Sequence, residues 1–242
     1  MLKIETLLKL NYCIPRKSRQ TDSSAILLDK QKAIYLPIPK VACSSIKKAI
    51  ADWQNIKVDI VSDAGIPLIH EAQFKYLDVA KFSRRKTYWK FCFVRNPWDR
   101  LVSCYKEKIK KDPNFHGKTN SFIDGVHKGL LRYGVFEAGM SFDAFVDAVV
   151  AIPDHDSDSH LRSQVTFITD EGGDLLADFV GRFENLRADF AYVREKLKAE
   201  DLQLTHINQT KKSSYQEFYT DLTREKVFKR YENDIHTFGY KF

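Results

Sequence analysis

The chain has 242 residues, 43% of them apolar and 13% aromatic, with a formal net charge of +7. That composition excludes a disordered or low-complexity chain, and the length suffices for one substantial core. The positive balance favours an anionic ligand or partner; on charge alone nucleotide, nucleic acid, anionic lipid and acidic polysaccharide all stay open.

The first ten residues, Met1 to Leu10, are too short and too charged for a signal h-region, and no apolar run approaches a membrane span. Residues 1–24 read as an N-terminal extension to a single domain filling 1–242, and a soluble cytoplasmic protein is expected. Cys13, Cys43, Cys92 and Cys104 form no C-x-x-C pair, which fits a reducing compartment.

Ala25–Leu28 and Ala33–Leu36 flank the polar turn Asp29–Lys32 and predict a hairpin. The second of these runs enters Pro37-Ile-Pro-Lys40-Val-Ala-Cys-Ser44-Ser45. Beyond it Ile46, Ala49, Ile50 and Trp53 recur at helical spacing. Trp89–Val94 is short, apolar and aromatic-rich, a strand buried on both faces, with Cys92 as a small core residue.

That strand ends in Arg95-Asn-Pro97, and Pro97 suits the first turn of a helix carrying Leu101, Val102, Tyr105 and Ile109. Lys106, Lys108, Lys110 and Lys111 complement the dipole at its end, and Arg100 beside Asp99 reads as a surface or ion-pair residue. Residues 112–163 form a surface excursion, irregular up to Tyr133, within which Ser141 caps a helix bearing Phe142, Phe145, Val146 and Val149.

Val165–Thr169 and Phe179–Phe183 read as strands. Leu186, Phe190, Val193 and Leu197 mark the next helix, and Val227, Phe228, Tyr231 and Ile235 a final one. Strands alternating with helices predict a three-layer α/β domain with a central, mainly parallel sheet flanked by helices.

Both strand–loop–helix units suit phosphate. A helix N-terminus offers unpaired N–H groups and a positive dipole end, to which Ser44 and Ser45 add hydroxyls and Lys40 a full charge. The lysine precedes the loop, so this is no Walker A motif. An ordinary turn with a capping serine and an exposed lysine is the plainer alternative. Arg95 follows a buried strand, where open α/β sheets bind ligands, and its guanidinium can fork onto phosphate. Ser103, two helical turns on, can donate to the same group. The plainer alternative is a structural arginine satisfying strand-end carbonyls.

Together the loops resemble the 5′-phosphosulfate loop and the 3′-phosphate segment of the carbohydrate sulfotransferases, nearest to the chondroitin, dermatan and uronyl 2-O-sulfotransferases. Pro39-Lys-Val-Ala-Cys-Ser-Ser45 is similar to their P-K-x-x-x-[ST]-[ST] loop. Val94-Arg-Asn-Pro-Trp-Asp-Arg-Leu-Val-Ser-Cys-Tyr105 is similar to V-R-[DN]-P-x-x-R-L-x-S-x-Y. Fainter echoes lie at His160–Gln164, Phe183–Leu186, Asn208–Tyr215, Tyr231–Ile235 and Phe238–Tyr240. The resemblance implies a P-loop-NTPase-like fold, 3′-phosphoadenosine 5′-phosphosulfate as donor and adenosine 3′,5′-bisphosphate as product. It also implies a hydroxyl acceptor on a carbohydrate or glycolipid; the departure is the lack of the transmembrane anchor usual in the Golgi members, from which a bacterial-type cytosolic member is expected. Lys40, Ala42, Cys43, Ser44 and Ser45 would hold the 5′-phosphosulfate, Arg95 and Ser103 the 3′-phosphate; Lys211, Lys212 and Ser213 fall where the family closes a loop over the nucleotide.

Sulfuryl transfer is in-line and loose, so Lys40 would neutralise the leaving oxygen and no metal is required. The acceptor hydroxyl needs a base. His70 is the first candidate, in a segment resembling the uronyl 2-O-sulfotransferases; His160 and Glu71 are the others. Two other classes remain: a divergent small-molecule kinase, which would need magnesium ligands, and a polyanion- or RNA-binding module, for which no RNP, KH or helix-turn-helix pattern appears.

Overall fold

The computed structural model describes residues 24–58, 69–78, 87–116, 121–170, 172–204 and 214–242. Strand β1 (Ser24–Leu28) turns through a single 3-10 turn into β2 (Ala33–Leu36), with Ile26 opposite Tyr35. All four β2 residues are buried. Helix α1 (Cys43–Gln54) follows and buries Ile46, Ala49 and Ile50 against the sheet. Strand β3 (Tyr76–Asp78) pairs antiparallel with β1 at one edge.

Strand β4 (Trp89–Val94) lies parallel to β2 and sends its last four residues fully into the core. It leads to α2 (Pro97–Lys108), which starts as expected on Pro97, capped by the Asn96 side chain accepting from Trp98 N–H. The excursion then forms a small antiparallel hairpin, β5 (Phe122–Ile123) and β6 (Val126–His127), followed by the one-turn α3 (Lys128–Leu131). Helix α4 (Phe142–Ala151) is capped by Ser141 as its sequence dictates.

Strand β7 (Phe179–Arg182) adds parallel to β4, and Gly181 lets it come close: a Cβ there would lie 2.5 Å from the Phe93 ring. Helices α5 (Leu186–Lys196), α6 (Asp221–Arg230) and α7 (Glu232–Phe238) complete the chain. The sheet order is β3-β1-β2-β4-β7, so its parallel half, β2-β4-β7, carries both candidate loops at its C-terminal ends. The apolar interior has two parts. One packs on the sheet; the other joins α2, α4, α6 and α7 through Leu101, Phe145, Val149, Val227 and Ile235. Among the described residues no helix is long and apolar enough to cross a membrane.

Three sequence expectations change. Val165–Thr169 is not a strand; Gln164–Phe167 forms a 3-10 turn. The buried Asp234 carboxylate accepts from the Gln164 and Val165 N–H groups at 2.8 and 2.9 Å, and this tertiary capture overrides the β-branched composition. The final helix is two helices meeting at Tyr231, whose hydroxyl donates to the Leu161 carbonyl. Arg100 is not a surface residue but 2% exposed, and Asp99 pairs with Arg95 instead.

Candidate active site

The β2–α1 loop has a backbone shape that can receive an anion. Lys40 and Ala42 both take left-handed backbone, at φ 69° and 53°, which side chains with a Cβ adopt at a cost. Such turns aim successive N–H groups at one point. No side chain caps α1, so Ser44 is not the capping serine of the plainer reading. Its hydroxyl instead meets His70 Nε2 at 2.9 Å. Among the described residues the first-turn N–H groups thus lack a side-chain acceptor where the dipole is positive.

The β4–α2 loop is locked from several sides. Gln164 closes a reciprocal pair on Arg95, accepting from its N–H at 2.9 Å and donating to its carbonyl at 2.8 Å. Glu184 accepts from Asn96 N–H at 2.6 Å, and Asn96 donates to the Tyr215 hydroxyl and the Lys241 carbonyl. Segments scattered between Gln164 and Lys241 therefore converge on Arg95 and Asn96. The Arg95 guanidinium stacks 4.1 Å over Phe183 and forks onto Asp99 at 2.8 and 2.9 Å. Its Nη1 also donates to the Lys40 carbonyl at 3.1 Å, which ties the two loops together. Among the described residues, one N–H each of Nη1 and Nη2 has no partner. Ser103 is half-buried one turn beyond Asp99 on α2.

Arg100 is the second tie, donating to the carbonyls of Pro39, Arg162 and Ser159 at 3.0, 2.8 and 3.3 Å. It fixes the first loop and the His160 segment to α2. The Lys40 side chain is 10% exposed, and its ammonium is held by Glu107. Lys108, 5% exposed rather than a solvated dipole partner, lies 3.2 Å from the same carboxylate. Partial burial alone would raise the Glu107 pKa, but Lys40 and Lys108 together hold it down at about 2.

Two imidazoles face this cluster. His70 sits in the 3-10 turn Ile69–Glu71, with Lys47 Nζ 3.4 Å from Nδ1. Desolvation first, then the charges of Lys47, His160 and Lys108, lower its pKa to about 4, so the ring is neutral near pH 7. An ammonium only donates, so Nδ1 accepts and the ring proton sits on Nε2, toward Ser44. His160 is the mirror case: Nδ1 lies 2.6 Å from the Asp158 carboxylate. A carboxylate only accepts, so Nδ1 carries the proton and Nε2 is the basic nitrogen.

The structure thus brings Lys40, Ala42, Cys43, Ser44, Ser45, His70 and His160 to one place and Arg95 beside them. Lys211, Lys212 and Ser213 lie outside the described residues, as does the Glu71 side chain. Sequence reasoning missed Lys47, Glu107, Lys108 and Asp158. Lys108 was hidden in a lysine-rich run, whereas Asp158 two residues before His160 was a legible signal.

A model of the sulfotransferase family matches residues 23–241. The chain is 25% identical over 238 residues to carbohydrate sulfotransferase 10 of Homo sapiens, covering 88% of this chain and 65% of that one. It is 26% identical over 279 residues to carbohydrate sulfotransferase 12 of Mus musculus, covering 95% and 64%. It is 27% identical over 194 residues to carbohydrate sulfotransferase 14 of Mus musculus, covering 77% and 50%. The chain therefore spans less than two thirds of the length of these curated relatives. No solved structure matches it.

Proposed function

This chain belongs to the sulfotransferase family, and on that premise we propose that it moves a sulfuryl group from 3′-phosphoadenosine 5′-phosphosulfate to a saccharide hydroxyl. The observation that carries the reading is the tie between the two anion loops, with Arg95 Nη1 on the Lys40 carbonyl. Two phosphate subsites on one rigid pair of strand ends suit one nucleotide phosphorylated at both 3′ and 5′ positions. The relatives' names supply the saccharide class.

In the proposed reaction the acceptor oxygen attacks sulfur as the bond from sulfur to the 5′-phosphate oxygen breaks. The departing electron pair stays on adenosine 3′,5′-bisphosphate, and the hydroxyl proton passes to a base. Residues 42 to 45 hold the 5′-phosphosulfate, and Lys40 neutralises the leaving oxygen. Arg95 and Ser103 take the 3′-phosphate. His70, beside Ser44, is the first candidate base. A second reading is favoured by one observation: His160, with Asp158 on Nδ1, already presents a basic Nε2 in the manner of a carboxylate-oriented catalytic imidazole.

The test is transfer of ³⁵S from labelled donor to an array of unsulfated saccharides, run without added metal. Label on at least one saccharide, lost in Lys40→Ala, is the expected result. Donor binding without transfer to any saccharide would refute the acceptor class. Absence of donor binding would refute the whole reading.

A further inference from the structure

Outside the donor loops, the β5–β6 hairpin holds a row of rings that no part of the proposed reaction uses. His127, at its end, lies edge-on to His160 with ring centroids 5.8 Å apart. On its other side Phe122 stands edge-on at 5.4 Å, and Phe115 edge-on to Phe122 at 5.1 Å. Lys110 Nζ sits 5.3 Å from both phenyl centroids. The row therefore runs from the reacting centre to open solvent, where Phe115 is 39% exposed.

The hairpin is fixed to the centre rather than merely near it. A Cβ on Gly129 would lie 2.7 Å from Asp158 Oδ2, so α3 presses directly on the carboxylate that orients His160. His127 Nδ1 accepts the Gly129 N–H at 3.2 Å and so caps that turn.

We propose that this hairpin is the acceptor platform: His127 donates from Nε2 to a sugar oxygen beside the reacting hydroxyl, while Phe122, Phe115 and Lys110 carry the next sugar ring. The donor role follows from the bonding of the ring. Nδ1 is occupied as an acceptor, so a neutral imidazole must hold its proton on Nε2. Burial, then the charges of Lys108 and His160, bring the ring's pKa down to about 4, which keeps it neutral near pH 7. A pyranose offers what the row would grip: oxygens at its edge and an apolar C–H face for aromatic rings. The row is longer than one ring, so the occupant is an oligosaccharide of at least two units.

This inference rests on the proposed sulfotransferase reading, and its test separates the two. The full chain is assayed with labelled donor on monosaccharide methyl glycosides and matched disaccharides, and bisphosphate affinity is measured in parallel. His127→Ser keeps an oxygen that can cap α3 but removes the Nε2 donor. Its acceptor KM should rise about tenfold with bisphosphate affinity unchanged. Phe115→Ala, at an exposed position, should erase the preference for disaccharide over monosaccharide. An acceptor KM within about twofold of wild type in both variants, with transfer and bisphosphate binding intact, overturns the platform. Failure of the wild-type chain to bind the bisphosphate would instead bring down the donor reading, and the platform with it.

Discussion

Lys40 cannot hold a carboxylate and neutralise a leaving oxygen with equal strength at once. Glu107 holds it in the structure and stays ionised down to about pH 2, so an incoming phosphosulfate competes with a full negative charge. Glu107→Gln should therefore raise bisphosphate affinity, within about fivefold because half of that side chain is exposed. Weaker binding in that variant, read by calorimetry, would show that Glu107 positions Lys40 instead of competing for it. Lys40→Ala should lower kcat by about 10²–10³ and change bisphosphate affinity far less, since its charge acts on the leaving oxygen. Arg95→Ala should weaken bisphosphate binding by about 1.5–3 kcal/mol through loss of a charge-assisted donor. Unchanged affinity would remove Arg95 from the 3′-phosphate site. The pairing of Arg95 with Asp99 was not legible, because Arg95 precedes the helix and Arg100 stood nearer to Asp99 in sequence. Nor was the burial of Arg100, because its three carbonyl partners come from loops distant in sequence.

At the level of elements, the strand–loop–helix units follow from local signals: Pro97 at a first turn, an apolar run in β4, and helical spacing in α1. The 3-10 turn at Gln164 does not, because the acceptor that dictates it, Asp234, lies about seventy residues away. The hairpin of the excursion was likewise hidden, since each of its strands has only two residues. His70 and His127 give the site region a pH signature. Both rings hold folded pKa values near 4 against an ordinary 6.5, so the unfolded chain binds more protons between those values. The stability they contribute is fully present above pH 6.5 and is lost as pH falls toward 4. Melting temperature should decline across that window, and His127→Ser should flatten the decline. An unchanged slope would mean that His127 is not held neutral. Single substitutions separate the two base readings. If His70 takes the proton, kcat/KM for the donor keeps its acidic limb near pH 4, and His70→Ala lowers kcat by about 10²–10⁴. If His160→Ala abolishes turnover while His70→Ala retains it, the Asp158-oriented ring is the base.

Across the whole molecule, the candidate site sits where the two parts of the interior meet. The sheet supplies the strand ends, the helical part supplies α2, and Arg95 and Arg100 stitch them together. The central sheet with flanking helices was legible because strands and helices alternate along the chain. The antiparallel edge of β1 and β3 was only half visible, since β3 has three residues. The +7 charge is compatible with many anions, so the central claim is narrower than charge: one ligand read at both its 3′ and 5′ ends. The direct test is a thermal-shift titration of the wild-type chain, without magnesium, comparing adenosine 3′,5′-bisphosphate with AMP and ATP. At a bisphosphate concentration of about 100 times its Kd the account predicts stabilisation of about 2.7 kcal/mol, well above that from AMP at the same concentration. Equal shifts from AMP and the bisphosphate would show that the 3′-phosphate is not read, and would contradict it.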